Sequence, residues 1–82
     1  MRVTIECYGI FRSLCGGDEY PIEVAGDDVT VAAVLDALAA EVPGTADHLP
    51  RTACALGYRL VERDETIADG ARVALIPPVS GG

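Results

Sequence analysis

Gly81 and Gly82, which close the sequence, are the residues best placed to take part in chemistry. They follow Pro77 and Pro78, whose rings leave no backbone N–H to donate, so pairing with a neighbouring β-strand must end there. Residues 77–82 would then leave the domain as an extended arm, and six residues at up to ~3.5 Å each reach roughly 20 Å. Because glycine has no Cβ atom, the tip of this arm can enter a narrow channel and present the Gly82 carboxylate to another protein's active site. The alternative is an ordinary frayed terminus.

The other titratable residues form no pattern typical of catalysis. His48 has no serine or cysteine nucleophile at a recognisable motif and is expected to be solvated. The acidic pairs at 27–28 and 64–65 favour solvated turns over metal ligation. An odd number of cysteines without Cys-x-x-Cys spacing favours small core residues in a reducing compartment; they are Cys7, Cys15 and Cys54. We therefore expect no metal, no bound cofactor and no active site within this chain.

Length and composition favour one small globular domain. The chain has 82 residues, half of them apolar, and no evident disulfide framework. A formal net charge of −7 argues against binding to nucleic acid or anionic lipid, which requires clustered cations, so partners are expected to be proteins with basic or apolar surfaces. Residues 1–7 include Glu6 and precede no long apolar run, so we expect neither a signal peptide nor a membrane span, and a cytoplasmic location.

Hydrophobic periodicity predicts the elements that must position the arm. Residues 3–7 alternate between apolar and polar types, which indicates a strand with one buried face. Residues 10–15 are expected to form one helical turn or a packed loop. A second strand over 19–24 contains Pro21, which places it at a sheet edge, and the two strands are expected to pair as a hairpin.

The next predicted element is a helix. Thr30 is a suitable N-cap and Pro43-Gly44 ends the helix. One apolar stripe faces the core: Val31, Val34, Leu35, Leu38 and Val42. After a loop over 44–52, residues 53–61 are predicted to form a strand broken by a turn at Gly57, and 72–76 a last strand after a second turn.

This order of elements predicts the fold class α+β, as a single β-grasp, ubiquitin-like domain. A mixed sheet of four to five strands would carry one main helix on one face. The domain is assigned to residues 1–77, and residues 78–82 to a flexible C-terminal tail.

The strand phase also predicts an interaction surface. If Val73 and Leu75 face the helix, then Tyr8, Ala74 and Ile76 lie on the open face of the sheet, beside the exit of the arm. Exposed apolar residues at this position would form a docking patch, with ordinary scattered surface residues as the open alternative.

The sequence resembles the small, ubiquitin-like sulfur carriers of the MoaD/ThiS type, most closely the small subunit of molybdopterin synthase. The resemblance covers the whole chain loosely and residues 60–82 most strongly. Its motifs are Leu60-Val61, Asp69-Gly70, Val73-Ala74, Phe11-Arg12-Ser13-Leu14-Cys15-Gly16 and, above all, Pro77-Pro78-Val79-Ser80-Gly81-Gly82. Two positions depart from the family pattern: Ser13 stands where an acidic residue is frequent, and Gly57 where asparagine is frequent.

The resemblance implies a non-catalytic sulfur-carrier subunit. A ubiquitin-activating-type adenylyltransferase, using ATP and Mg²⁺, would adenylate Gly82, and a sulfur donor protein would convert the adenylate into a thiocarboxylate. The large subunit of molybdopterin synthase would then receive this sulfur for molybdenum cofactor biosynthesis. The residues implied in partner binding are Gly81, Ser80, Val79, Pro78, Ile76 and Tyr8.

Three alternatives remain open at this point. Carriers of this shape serve other sulfur pathways, including thiamine thiazole, cysteine and natural-product synthesis. A ubiquitin-like protein modifier would instead join Gly82 to a lysine of a target, and an interaction module would have an inert tail. A β-grasp ferredoxin is disfavoured because it needs four cysteine ligands and the chain has three cysteines.

Overall fold

The computed structural model describes residues 1–78. Within this range there are five strands: β1 (Arg2–Cys7), β2 (Glu19–Glu23), β3 (Ala53–Leu56), β4 (Arg59–Val61) and β5 (Arg72–Ile76). The helices are α1 (Ile10–Cys15) and α2 (Val31–Glu41), and two 3₁₀ turns follow at Pro43–Thr45 and Leu49–Arg51. The predicted bounds of the tail reach beyond Pro78, so the boundary of the domain stays a prediction.

All five strands form one mixed sheet with the order β2-β1-β5-β3-β4. The two terminal strands, β1 and β5, are parallel neighbours at its centre, and every other pair is antiparallel. The edge position predicted from Pro21 is confirmed, because β2 has a neighbour on one side only. The β-grasp architecture is also confirmed, and it brings the chain's first and last strands into contact.

The core lies between the sheet and α2. Alternate residues of β1 and β5 are fully buried, as the strand phase predicts: Val3, Ile5, Val73 and Leu75. On the helix, Leu38 is 0% exposed and lies in the middle of the apolar stripe. The Thr30 side chain accepts a hydrogen bond from the backbone N–H of Ala33 at 3.2 Å, which confirms it as the N-cap.

The segment before β3 differs from expectation. Its two 3₁₀ turns place His48 half-buried against the Phe11 ring, with the ring centroids 6.2 Å apart in an edge-on arrangement. The expectation that His48 is simply solvated is therefore wrong. Its neighbour Phe11 is fully buried, so the imidazole covers part of the core.

The three cysteines are thiols with different surroundings. Cys7 and Cys54 are buried, as predicted for core residues, whereas Cys15 at the end of α1 is only half-buried. Among residues 1–78, no helix is both long and apolar enough to span a bilayer.

Candidate functional site

The chain leaves the sheet at Pro77. Strand β5 ends at Ile76, and the next residues change from half-buried at Pro77 to exposed at Pro78. Neither proline can donate a backbone hydrogen bond, so the ladder with β3 cannot continue past them. The structure thus confirms the prediction that strand pairing ends at Pro77. The predicted site residues Val79, Ser80, Gly81 and Gly82 follow directly and lie outside the described residues.

An apolar surface surrounds this exit on the face of the sheet opposite α2. We call it the exit face, and it forms a shallow concavity of about 690 Å³. The side chains of Tyr8 and Ile76 are exposed there, as predicted, and Ile76 is 40% exposed. The apolar lining of the concavity is contributed by Tyr8, Ala55, Tyr58, Ala74, Ile76 and Pro77.

Ala74 forms the floor of the exit face. In the register of the sheet it lies between Glu6 of β1 and Ala55 of β3, and it is only 5% exposed. The prediction placed Ala74 on the correct face, but its small side chain is covered by its neighbours. Position 74 is therefore a recess in the surface, into which a side chain of a partner could fit.

Two exposed side chains of this region, one aromatic and one aliphatic, were not predicted from the sequence. Tyr58 is fully exposed at the turn between β3 and β4, next to Gly57, whose φ of 64° suits a tight turn. Leu60 is 67% exposed, and its register partner is Ala55, so both lie on the same face. A hairpin turn at Gly57 pairs Leu60 with Ala55, and paired residues point to the same face of a sheet. This pairing is the signal in the sequence that could have placed Leu60 on the exit face.

Paired charges line the sheet next to the exit face. The Arg72 guanidinium donates to Glu6 at 2.9 Å and also to Glu19, and these hydrogen bonds raise the pKa of Arg72. Near β4, Arg59 donates two hydrogen bonds to Glu65, at 3.0 and 2.6 Å, and they hold the pKa of that carboxyl below its ordinary value. These acidic side chains, including Glu6, which also lines the concavity, are therefore each paired with an arginine.

Gly9 lies directly against the root of the arm. Its backbone has φ 56° and ψ −130°, a conformation that favours glycine. A Cβ atom at this position would be 2.9 Å from Cγ of Pro77, which is closer than non-bonded carbon atoms approach one another. The turn after β1 can therefore receive the Pro77 ring only because residue 9 has no side chain.

The chemistry available within residues 1–78 is limited. No group of histidine, cysteine and acidic side chains in this range is arranged to hold a metal ion. Burial raises the pKa of the Cys7 thiol to about 12, so this thiol stays protonated and is a poor nucleophile. Burial also raises the pKa of Cys15 and Cys54. What the described residues offer is a surface for docking and a root for the arm.

Solved structures of other proteins share the fold of this chain. The chain resembles the crystal structure of SAMP1 from Haloferax volcanii, with a TM-score of 0.87, 24% identity and full coverage of both chains. It also resembles a chain of the BexX/CysO complex of Amycolatopsis orientalis, with a TM-score of 0.74 and 22% identity over 98% of this chain and 99% of that one. These two likenesses are evidence of the fold.

A third similar structure is itself a complex. It contains subunits 1 and 2 of the molybdopterin-converting factor from Helicobacter pylori, and one chain matches with a TM-score of 0.66, 25% identity and full coverage of both chains. No curated relative matches the sequence. The ThiS family model matches residues 10–82, which include α1, the exit face apart from Tyr8, and the closing glycines. The chain therefore belongs to the ThiS family of ubiquitin-like sulfur carriers.

Proposed function

We propose that this protein is a sulfur carrier whose Gly82 carboxylate is adenylated and then converted into a thiocarboxylate by partner enzymes. The observation that carries the proposal is the position of the exit face around Ile76 and Pro77. A partner that binds this face also holds the point from which the closing residues begin. Binding energy from the face can therefore be used to bring Gly82 into an active site.

The proposed chemistry needs little from the carrier itself. A carboxylate is a poor electrophile and must first be activated. In the partner adenylyltransferase, which uses Mg²⁺, a carboxylate oxygen of Gly82 would attack the α-phosphate of ATP and displace pyrophosphate. A sulfide equivalent from a donor protein would then attack the acyl carbon and displace AMP. The result exchanges one oxygen of Gly82 for sulfur. Gly81, which has no Cβ atom, would keep the approach to the partner's channel narrow, and Ser80 and Val79 would contact the partner.

We further propose that the acceptor pathway is molybdopterin synthesis, with this chain as the small, non-catalytic subunit of the synthase. The support is the Pro77-Pro78 root and the likeness to the Helicobacter pylori complex of subunits 1 and 2. The large subunit would then bind Tyr8 and Ile76 of the exit face together with Pro78. Thiamine thiazole, cysteine and natural-product pathways are the competing acceptors.

Intact mass tests the carrier chemistry. The full chain is incubated with ATP, Mg²⁺, an adenylyltransferase of the ubiquitin-activating type and sodium sulfide. We expect a mass gain equal to the difference between sulfur and oxygen, dependent on ATP. A chain lacking Gly82 should show no gain and should keep its melting temperature, because the deletion lies beyond the sheet and core. No gain in the full chain contradicts the carrier proposal, and attachment to lysines of other proteins would indicate a modifier.

The pathway is tested separately with the thiocarboxylated chain. It is mixed with a large synthase subunit and the pterin precursor of molybdopterin, and loss of sulfur is followed by mass. We expect sulfur to leave only when both are present. If sulfur is retained there but leaves with a thiazole or serine-derived acceptor and the corresponding synthase, the carrier chemistry stands and the molybdopterin assignment is wrong.

A further inference from the structure

Gly9 differs from the other described glycines that have positive φ. Among the described residues, five glycines have a positive φ: Gly9, Gly16, Gly26, Gly57 and Gly70. A Cβ atom would meet open space at the other four, whereas at Gly9 it would be 2.9 Å from Cγ and 3.9 Å from Cδ of Pro77. At residue 9, therefore, two features exclude a side chain: the backbone conformation and the close approach of Pro77.

The atom that Gly9 contacts belongs to a rigid ring. The pyrrolidine ring fixes the φ angle of Pro77, so its Cγ can shift only through a change of ring pucker and not by free rotation as the end of a flexible side chain would. Where a change of pucker does not relieve the contact, a group added at Gly9 displaces the backbone at Pro77 or the turn that joins β1 to α1. Either movement changes the direction in which the chain leaves β5 relative to Tyr8 and Ile76.

We infer that Gly9 is a positioning residue, which sets the exit direction of the arm from the exit face by receiving the Pro77 ring. This inference rests on the proposed function, in which a partner binds the exit face and the Gly82 carboxylate together. Simultaneous engagement depends on geometry, and a misplacement of about 1 Å can cost on the order of 100-fold in rate. Gly9 would thus act on turnover through Pro77, without touching the reacting atoms.

The test compares Gly9→Ala with Gly16→Ala in the full chain. Gly16 also has positive φ, at 83°, in the left-handed region, and no atom lies within 4 Å of an added Cβ, so it reports the effect of alanine at a positive φ without a close contact. The assay is ATP-dependent adenylation by the ubiquitin-activating-type adenylyltransferase. For Gly9→Ala we expect kcat to fall at least ~10-fold while KM for the carrier changes less than ~3-fold, because the exit face remains. Gly16→Ala should keep both values.

A double-mutant cycle isolates the contact itself. Pro77→Ala removes the Cγ atom, so Gly9→Ala should reduce kcat much less in the Pro77→Ala background than in the natural one. If Gly9→Ala by itself does not fold, the same cycle is read from the folded fraction by circular dichroism, and the Gly9→Ala/Pro77→Ala double variant should recover the fold. An equal effect of Gly9→Ala in both backgrounds would overturn the inference.

Two further outcomes separate this inference from the proposed function. If the natural chain is not adenylated, the proposed function fails, and the inference is judged by NMR alone. Gly9→Ala should then shift the Pro77 resonances and weaken the nuclear Overhauser contacts between residues 9 and 77. Unchanged Pro77 resonances overturn the inference. If the natural chain is adenylated and Gly9→Ala matches its kcat, only the inference is wrong.

Discussion

The guanidinium group of Arg63 donates a hydrogen bond to the carbonyl oxygen of Leu49 at 2.7 Å, although the two residues are 14 positions apart. It donates a second hydrogen bond, also of 2.7 Å, to the carbonyl oxygen of Thr52. Both acceptor residues are buried. Arg63 thus ties the segment after β4 to the second 3₁₀ turn and satisfies carbonyl groups that water would otherwise have to reach.

Arg63→Met should destabilise the domain by about 1–3 kcal/mol, because it leaves these carbonyl groups without their charged donor while keeping the length of the side chain. The measurement is the free energy of unfolding from urea titration. Arg2→Met is the matched control, since Arg2 is 73% exposed and pairs at the surface with Glu23. The control should change stability by less than ~0.5 kcal/mol. Equal values for the two variants would mean that the Arg63 hydrogen bonds add nothing to stability.

Stability should fall as the pH rises above 9. The native pKa of Cys7 is about 12 against an ordinary value of 9.0, so between these values the unfolded chain loses a proton that the native chain keeps. This proton difference lowers the free energy of unfolding by up to about 1.4 kcal/mol per pH unit. Urea midpoints across this range should decline, and Cys7→Ala should make the decline shallower. A slope that is identical in Cys7→Ala would contradict the assignment to Cys7.

Leu38→Ala should cost about 2–5 kcal/mol of unfolding free energy, because Leu38 is fully buried in the middle of the helix stripe and its truncation leaves a cavity. Leu60→Ala removes the same atoms from a side chain that is 67% exposed and should stay within ~0.5 kcal/mol. Chemical denaturation of both variants measures the difference. A small effect at Leu38 would mean that the core can close around the missing atoms.

Ile76→Asp should weaken docking by at least ~2 kcal/mol, since it places a charge on the apolar exit face. Calorimetric affinity for the large synthase subunit or the adenylyltransferase gives this value, and the denaturant midpoint of the chain alone should change far less. Ala40→Asp adds the same charge on α2, on the other side of the sheet, and should leave the affinity unchanged. Unchanged affinity in Ile76→Asp would mean that docking uses the closing residues alone.

Local chemistry was enough to predict most of the fold. The alternation over residues 3–7, the helix stripe around Leu38 and the capping position of Thr30 each depend on neighbours within one or two turns, and the structure confirms them. The end of sheet pairing at Pro77 follows from the missing N–H of proline itself. The family resemblance was carried by the same local motifs, above all the segment 77–82.

Tertiary structure decided what lies beside the arm. The parallel pairing of β1 with β5 brings Gly9 from the start of the chain against Pro77 near its end, and the β3–β4 turn adds Tyr58 to the same face. The contact of His48 with Phe11 and the hydrogen bonds of Arg63 likewise join distant segments. Hydrophobic periodicity reports which side of an element is buried, but these contacts depend on strand order and register, which form only when the whole sheet assembles.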